Sequence, residues 1–477
     1  MLCKKRFSLQ EFTVLTHVQD ITSPMTSMER RATLSLSSIY ALRMLGLFMI
    51  LPVLSLFAET LEGATPLLIG LAISVYGLTQ AFLQIPFGLM SDRFGRKKII
   101  ILGLVLFAAG SVVAALSTTI YGVLIGRALQ GSGAIAAAIM ALAADLTQEV
   151  HRTKAMAIIG ASIGMSFGVA VTLGPVIAGY SGIQGIFWLT AVLSFLAIFV
   201  VLFVVPNPEH TKVHRDAELI PAQFTTVLKN KDLLRLDYGI FTLHLILTAS
   251  FMIVPLLLRD AGLVVKDHWM VYLPVLVTSM AVIVPFVIIA EKKRKMKPVF
   301  IAAVASVLIA NIGLYFFNAT LFSIILGLWV FFCGFNLLEA TLPSLISKTA
   351  PGDLKGTAMG AYSSSQFMGA FIGGTTGGWV YGEWGASYVF LFCACAAASW
   401  LLVVLSMNAP QYLANLLIST EDVAEQNIDA FIADIIAVDG VASATLQPSE
   451  QVVYLKVDNA QLDKDKFQYL LGQWSEA

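Results

Sequence analysis

Residues 88–98 read Gly-Leu-Met-Ser-Asp-Arg-Phe-Gly-Arg-Lys-Lys, a glycine turn carrying one carboxylate and four cations between two long apolar runs. The chemistry this spacing suits is an electrostatic latch. Gly88 has no side chain to hold a neighbouring helix away. Asp92 is predicted to sit at the N-terminus of the eleventh span, near residues 352–356, where unpaired N–H groups and the positive end of the helix dipole attract a carboxylate. Such a contact is worth about 0.3–1 kcal/mol when exposed and up to about 2 when partly buried. Arg96 lies one turn on and is predicted to pair with Asp145 at the end of the fourth span, giving a chain Asp92, Arg96, Asp145 across the turn that holds Arg93 and Gly95. The plainer reading is positive-inside anchoring, which accounts for Lys97 and Lys98 better than for Asp92, because acidic residues contribute little to topology.

A second set of polar residues lies inside apolar runs. Arg127 and Gln130 stand in Arg-Ala-Leu-Gln-Gly-Ser-Gly, Arg43 in span 1, His244 in span 7, and Asn336 and Glu339 in span 10. Ionisable groups at such depths are costly unless they face the bundle interior. A guanidinium does not deprotonate in practice, so Arg127 is expected to stabilise a nearby carboxylate or hold an anion. Glu339 is the candidate protonation site; the alternative is a fixed partner for Arg43. His244 is a second titratable group, or a plain interhelical hydrogen-bonding residue. Gln80, Gln84, Asn311 and Gln366 are cavity polars or interhelical glue. Gly164, Gly168, Gly174-Pro175 and Gly179 punctuate span 5, where four-residue glycine spacings let helices approach and Pro175 can kink the span.

The elements that must position these residues follow from composition. Hydrophobic residues make up 57% of 477 positions and charged residues 13%, with a mean hydropathy of +0.81, so the bilayer is the solvent. Runs of about 20 apolar residues occur twelve times: roughly 34–58, 66–90, 99–117, 120–145, 155–180, 185–206, 236–258, 269–290, 298–317, 321–346, 356–382 and 386–407. Connectors after the even-numbered spans up to the tenth hold eighteen Lys or Arg, and those after odd-numbered spans hold two, Arg259 and Lys266. That alternation predicts a multi-pass protein with both termini in the cytoplasm. Four cysteines, with Cys393 and Cys395 about 200° apart on a helix, imply neither a disulfide framework nor a metal site. The first residues do not form a secretory signal; Met25 or Met28 is a candidate start.

Arg152-Thr-Lys-Ala-Met and Lys355-Gly-Thr-Ala-Met open the fifth and eleventh spans, and Ala290–Lys297 repeats the chemistry of the 88–98 turn about 200 residues later. The chain therefore divides into an N-terminal cytoplasmic segment (1–33), a six-helix bundle (34–206), a linker (207–233), a second six-helix bundle (234–407) and a soluble tail (408–477). In the tail, 412–419, 441–447 and 451–457 read as strands and 424–437 and 462–472 as helices, the last two strands forming a hairpin across 448–450. This β-α-β-β-α order predicts a small α+β, ferredoxin-like domain. Its Asp439-Gly440-Val441 turn is similar to that of heavy-metal-associated domains, but 419–428 contains no cysteine to bind metal. Regulation, assembly or gating, through a ligand or self-association, is one reading of the tail; a structural appendage is the other.

Together, Gly88-x-x-x-Asp92-Arg93-x-Gly95-Arg96-Lys97-Lys98 and Arg127-x-x-Gln130-Gly-x-Gly resemble motifs of the major facilitator superfamily, and the span-5 glycines with Pro175 resemble the motif of its proton-antiporter branch, with Ala178-Gly179 in place of a terminal Gly-Gly. The resemblance covers about residues 30–407. It implies a twelve-helix membrane fold in two halves and proton-coupled efflux of small drug-like or hydrophobic molecules at a bacterial inner membrane. The proton would be the coupling ion, with no other cofactor, and Arg127, Gln130 and Glu339 would serve coupling. An uptake symporter and a membrane sensor signalling through the tail are the alternatives. No nucleotide-binding loop, nucleophile elbow or metal cluster points to an enzyme, and nothing points to nucleic acid.

Overall fold

The computed structural model describes residues 24–207, 224–351, 354–407, 414–420, 427–447, 452–458 and 461–475. Two compact units make up the chain, a helical bundle and a small C-terminal unit. Among the described residues, nine helical runs are long and apolar enough to cross a membrane.

The first half of the bundle comprises α1 (Ser27–Phe48), the short α2 (Leu54–Ala58), α3 (Pro66–Phe94), α4 (Arg96–Leu116), α5 (Ile120–Ser132), α6 (Ala136–Asp145) and α7 (Glu149–Phe203). The second comprises α8 (Phe224–Lys229), α9 (Lys231–Asp260), α10 (Trp269–Lys292), α11 (Met296–Phe316), α12 (Leu321–Thr349), α13 (Lys355–Trp384) and α14 (Ala386–Leu405). Local chemistry sets many of the ends. The Thr65 hydroxyl accepts from Leu68 N–H, with Pro66 in the first turn of α3, and Thr320 and Ser323 form a reciprocal capping box for α12. Gly95, at φ +99°, separates α3 from α4. At the matching place between α10 and α11 stands Arg294 at φ +53°, so the duplicated turn keeps its left-handed backbone where the glycine is lost.

Several expected boundaries move. The first span is α1 plus α2 around a break, and the fourth is α5 and α6, interrupted at Gly133. α7 runs through the expected fifth and sixth spans but is not one rod, because Gly182 at φ +65° breaks it. Helix begins before residue 34: Glu29 is buried in the first turn of α1 and accepts from Gln148 N–H at 2.9 Å. The expected linker is helical from Phe224, and α9 starts at Lys231 because the Asn230 side chain accepts from Asp232 and Leu233 N–H. The rest of that linker, residues 208–223, lies outside the described residues.

α13 is the structural seam. Its Gly369 and Gly373 lie directly on the carbonyls of Phe241 and Leu245 of α9, and its Gly374 and Gly378 face Ser74 and Pro66 of the other half. Close approach by glycine thus occurs on two faces of one helix. Hydrogen bonds extend the α3–α13 contact along its length, with Ser74 and Thr375 hydroxyls 3.0 Å apart and Gln84 Nε2 donating to Ser364 Oγ at 2.5 Å. At the end of the bundle away from the 88–98 turn, Arg259 Nη1 meets Glu59 Oε2 at 2.8 Å and joins the two halves.

The C-terminal unit holds β1 (Ala414–Ser419), α15 (Ile428–Ile436), β2 (Val441–Gln447), β3 (Val452–Val457) and α16 (Lys464–Ser475). Its sheet is antiparallel in order β1-β3-β2. Alternate β3 residues Val453, Leu455 and Val457 are fully buried against Phe431, Ile435 and Phe467, the period of two expected of a half-covered sheet. Residues 421–426 and 448–451, the latter including the expected hairpin turn, lie outside the described residues.

Candidate functional site

The turn between α3 and α4 is built around Arg96. Its guanidinium is buried, donates from Nε to Asp145 Oδ2 at 3.1 Å and from Nη1 to Ser91 Oγ at 3.0 Å, and forms an ion pair with Asp92. Asp145 is sealed, whereas Asp92 keeps 36% of its side chain exposed. The recorded ion pair of Asp92 is therefore with its own half; residues 352–353, beside its expected partner at the start of α13, lie outside the described residues. A Cβ on Gly88 would come 3.4 Å from Ala137 Cβ, so that glycine serves the approach of α3 to α6. Arg93 lies over the Phe94 ring at 5.5 Å. Lys97 Nζ donates to Val205 O at 2.6 Å.

In the core of the first half, two guanidiniums flank Tyr76. Arg43 donates from Nη2 to Tyr76 Oη, Gln80 Oε1 and Gly133 O at 2.7, 2.8 and 2.9 Å. Arg127 donates to Ala72 O, Gln130 Oε1 and Ile73 O at 3.2, 2.8 and 3.1 Å, and Gln130 Nε2 continues to Ser111 Oγ at 2.7 Å. Both arginines are 1% exposed. Their hydrogen-bond acceptors are neutral oxygens, and Tyr76 and Phe107 faces within 6 Å add cation–π attraction. The alternative in which Arg43 pairs with Glu339 is not formed: Arg43 bonds through Nη2 to α3 and to the break at Gly133, and its Nε and Nη1 have no acceptor.

Glu339 belongs to a cluster in the second half. Its Oε2 lies 4.0 Å from His244 Nε2, while His244 Nδ1 lies 3.3 Å from Ile240 O and Nε2 2.7 Å from the Gln366 amide. With Nδ1–H donating to the carbonyl, Nε2 of the neutral ring accepts from Gln366; a protonated ring turns a second N–H outward. The Glu339 side chain keeps 40% of its surface accessible although Oε2 itself is sealed and has no hydrogen bond. Asn336, one turn before it on α12, donates to Ser279 Oγ at 3.0 Å on α10. Phe167 of α7 packs against Phe251, Phe332 and Phe335, making an aromatic floor across the halves next to the cluster.

The α7 glycines divide by depth. Gly174 sits against Met49 O, where a Cβ would come within 2.5 Å, and Gly179 against Lys266 Cβ at 2.6 Å. Gly164 and Gly168 have open space where a Cβ would be. Pro175 lies buried within the continuous helix. Cys393 is buried and Cys395 exposed.

Sequence reasoning missed two polar groups. Asp237 is 6% exposed, with Oδ1 unpaired, six residues into α9; it was hidden by its place at the predicted edge of a span, beside the surface pair Asp232–Arg235. Tyr362 of α13, 4% exposed, has an unpaired buried hydroxyl, and only its position three residues after the polar helix start at Gly356–Met359 hinted at an inward face.

Comparison with known proteins places this geometry in context. The family model described as Major Facilitator Superfamily matches residues 36–374. The chain is similar to the inner membrane transport protein YajR of Escherichia coli K12, 45% identical over 94% of this chain and 99% of that one. Over 34% of its length it is 32% identical to multidrug resistance protein 2 of Bacillus subtilis, covering 40% of that protein. Among solved structures, the nucleoside transporter NupG superposes with a TM-score of 0.62 at 14% identity, over 79% of this chain and 99% of that chain, a likeness of fold.

Proposed function

Because this chain belongs to the major facilitator superfamily, we propose that it is a proton-coupled exporter of small drug-like or hydrophobic molecules, working by alternating access between its two halves. It is a multi-pass membrane transporter and not an enzyme. The observation that carries the proposal is the Glu339–His244–Gln366 cluster, a carboxylate and an imidazole beside an aromatic floor. Protons bind and leave at such a pair, and apolar substrate fits the phenylalanines next to it. One proton entering across 100 mV contributes about 2.3 kcal/mol, a bias of roughly 50-fold on a two-state equilibrium.

Twelve spans in two sets of six, with both termini cytoplasmic, are supported by the break at Gly182, by the division of charge between alternate connectors and by the duplicated turn at Gly95 and Arg294. On that topology the Glu59–Arg259 pair lies on the outer side and the Arg96 turn on the inner side. The outer pair closes one stage of the cycle. In the opposite stage Asp92 would reach the first turn of α13. The likeness to a multidrug resistance protein, and Gly174 and Gly179 packed near the Gly182 break at the outer end of the fifth span, favour export over uptake. The location would be a bacterial inner membrane, and the C-terminal unit a ferredoxin-like domain with a regulatory role.

The test is flux in proteoliposomes under an imposed proton gradient across a panel of lipophilic compounds. Export driven by inward protons and abolished in Glu339→Gln is the expected result. Substrate moving with the proton, or full coupling in Glu339→Gln, overturns the proposal.

A further inference from the structure

At the end of the bundle away from the 88–98 turn, a partly enclosed cavity of about 130 Å³ lies beside the Glu59–Arg259 ion pair. Both halves line it. Ser55 and Glu59 come from α2 and its C-terminal end and Ile69 from α3, while Met252 and Leu256 come from α9 and Tyr381 from α13. The seam is closed around it: Gly378 faces Pro66 O, and a Cβ on Gly382 would come 3.3 Å from Pro66 Cβ. An apolar cavity of about 150 Å³ accommodates benzene, so this space suits a ligand of about five or six heavy atoms.

We propose that this cavity binds a small organic cation, a primary alkylammonium, and that its occupation holds the outer end of the bundle closed. The proposal rests on the alternating-access part of the reading above and not on proton coupling. Charge selects the cation. Arg259 is shared between Glu59 at 2.8 Å and Asp260 at 3.1 Å, which leaves one net negative charge beside the cavity. The connectors at this end carry the acids Glu59, Glu62, Asp260, Asp267 and Glu383 against the two cations Arg259 and Lys266, a field that concentrates cations.

The lining selects an ammonium on a short apolar stem. Ile69, Met252 and Leu256 are buried and give the alkyl chain a surface to cover. Glu59, Ser55 and Tyr381 supply oxygens, one for each N–H of an ammonium group. Ser55 is fully buried and its hydroxyl has no partner. Buried serines within the long helices donate to the carbonyl four residues earlier, as Ser74, Ser111 and Ser166 do. Ser55 stands in the first turn of α2, just after the break, with no helical carbonyl at that distance behind it. Opening the outer end would separate α2 and α3 from α9 and α13, so the cavity is whole only in the closed stage. A ligand that binds one stage alone shifts the equilibrium toward it. A small amine on the outer side would therefore slow export without competing for the substrate.

The experiment uses the full-length protein in lipid nanodiscs, with butylammonium as the probe and butanol as its uncharged counterpart. Calorimetry reads binding, and a pair of spin labels across the outer seam reads closure. Butylammonium should bind in the millimolar range and move the label distances toward the closed form, with butanol at least about tenfold weaker for want of a charge-assisted hydrogen bond. Leu256→Trp, which fills the cavity, should abolish binding. Ser55→Ala, which leaves the Glu59–Arg259 pair in place, should weaken it several-fold, the loss of one hydrogen bond. The proposal is overturned by no binding, by equal binding of butanol, by a bound cation that leaves the label distances unmoved, or by binding unchanged in both variants, which would place the amine in the lipid. Closure by butylammonium in a protein whose flux ignores the proton gradient sinks the proton-coupled reading and keeps this site; proton-driven export with no cation binding sinks this site alone.

Discussion

Apart from Glu29 and Asp145, whose carboxylates are bonded near one end of the bundle, the two halves bury opposite charges and treat them differently. In the first half Arg127 is wrapped in neutral oxygens and an aromatic face, while Arg43 bonds through Nη2 alone and leaves Nε and Nη1 without an acceptor. In the second half Asp237 and Glu339 are left with unpaired oxygens. A guanidinium cannot shed its charge, so Arg127, with its bonds fitted, sets a constant field. A carboxyl exchanges its charge for a proton, and fitted donors would hold it in one state. The halves differ again in their glycine-rich helices: Gly369 and Gly373 of α13 are filled by the backbone of α9, while Gly164 and Gly168 of α7 face open space. The first half thus supplies the fixed charge and an open glycine face, the second the titrating parts and a tightly filled one.

The largest effect expected from breaking this contrast is at Arg127. Lysine keeps the charge but not the planar fork that reaches Ala72 O, Ile73 O and Gln130 Oε1 together. With hydrogen bonds to charged groups worth about 1.5–3 kcal/mol each, Arg127→Lys should lose about 3 kcal/mol, read as a clear fall in Tm in detergent. An unchanged Tm would remove the idea that the first half is a fitted frame. Next is Gly373→Ala, whose methyl meets Leu245 O on α9; overpacking against backbone should cost about 2 kcal/mol, measured in the same way. A silent Gly373→Ala would mean that the α9–α13 seam is looser than its glycines imply.

The Arg96 turn offers a graded pair. Asp145 is sealed and Asp92 is partly exposed, yet both meet the same guanidinium. Asp145→Asn should cost about 2 kcal/mol, below the usual loss of a buried pair because Asp92 remains. Asp92→Asn should cost under about 1 kcal/mol while strongly reducing transport, as expected if its main contact belongs to the other stage of the cycle. Equal losses of stability in the two variants would make the turn a static salt bridge and not a latch. In the second half Glu339→Gln should change stability by less than about 1 kcal/mol, since Oε2 has no bond to lose, and should still abolish coupling. That separation of stability from coupling sharpens the contrast with Arg127.

Much of this was readable in the chain because membrane burial is a harsh filter. A charge survives inside an apolar run only for a structural or chemical reason, so Arg43, Arg127, His244 and Glu339 announced themselves by position, and the duplicated turn announced the two halves. Local geometry was less legible. Gly182 breaks α7 inside a continuous run of helix, and Arg294 adopts a glycine-like backbone that its residue type conceals. Partners were the least legible. Pairing Arg43 with Glu339 is plausible from opposite charge, yet the break at Gly133 exposes a carbonyl closer to hand. Asp237 escaped notice because a carboxylate at the edge of a span looks like a surface residue until the helix is seen to begin six residues earlier.

The smallest effect tests the second half of the comparison. Gly164→Ala places a methyl in open space, and alanine is the better helix former by about 1 kcal/mol, so stability should stay level or rise slightly. Gly174→Ala, pressed against Met49 O, should lose about 1–2 kcal/mol in the same assay. Transport separates two meanings of the open face. If Gly164 and Gly168 only border the lipid, Gly164→Leu should leave flux unchanged. If that face closes on the other half during the cycle, as the antiporter reading requires, Gly164→Leu should fold normally and reduce flux about tenfold or more, a misfit of about 1.4 kcal/mol in one stage being sufficient. Full flux in Gly164→Leu would confine the role of the span-5 glycines to the packing of Gly174 and Gly179 near the Gly182 break and leave the direction of transport to rest on Glu339.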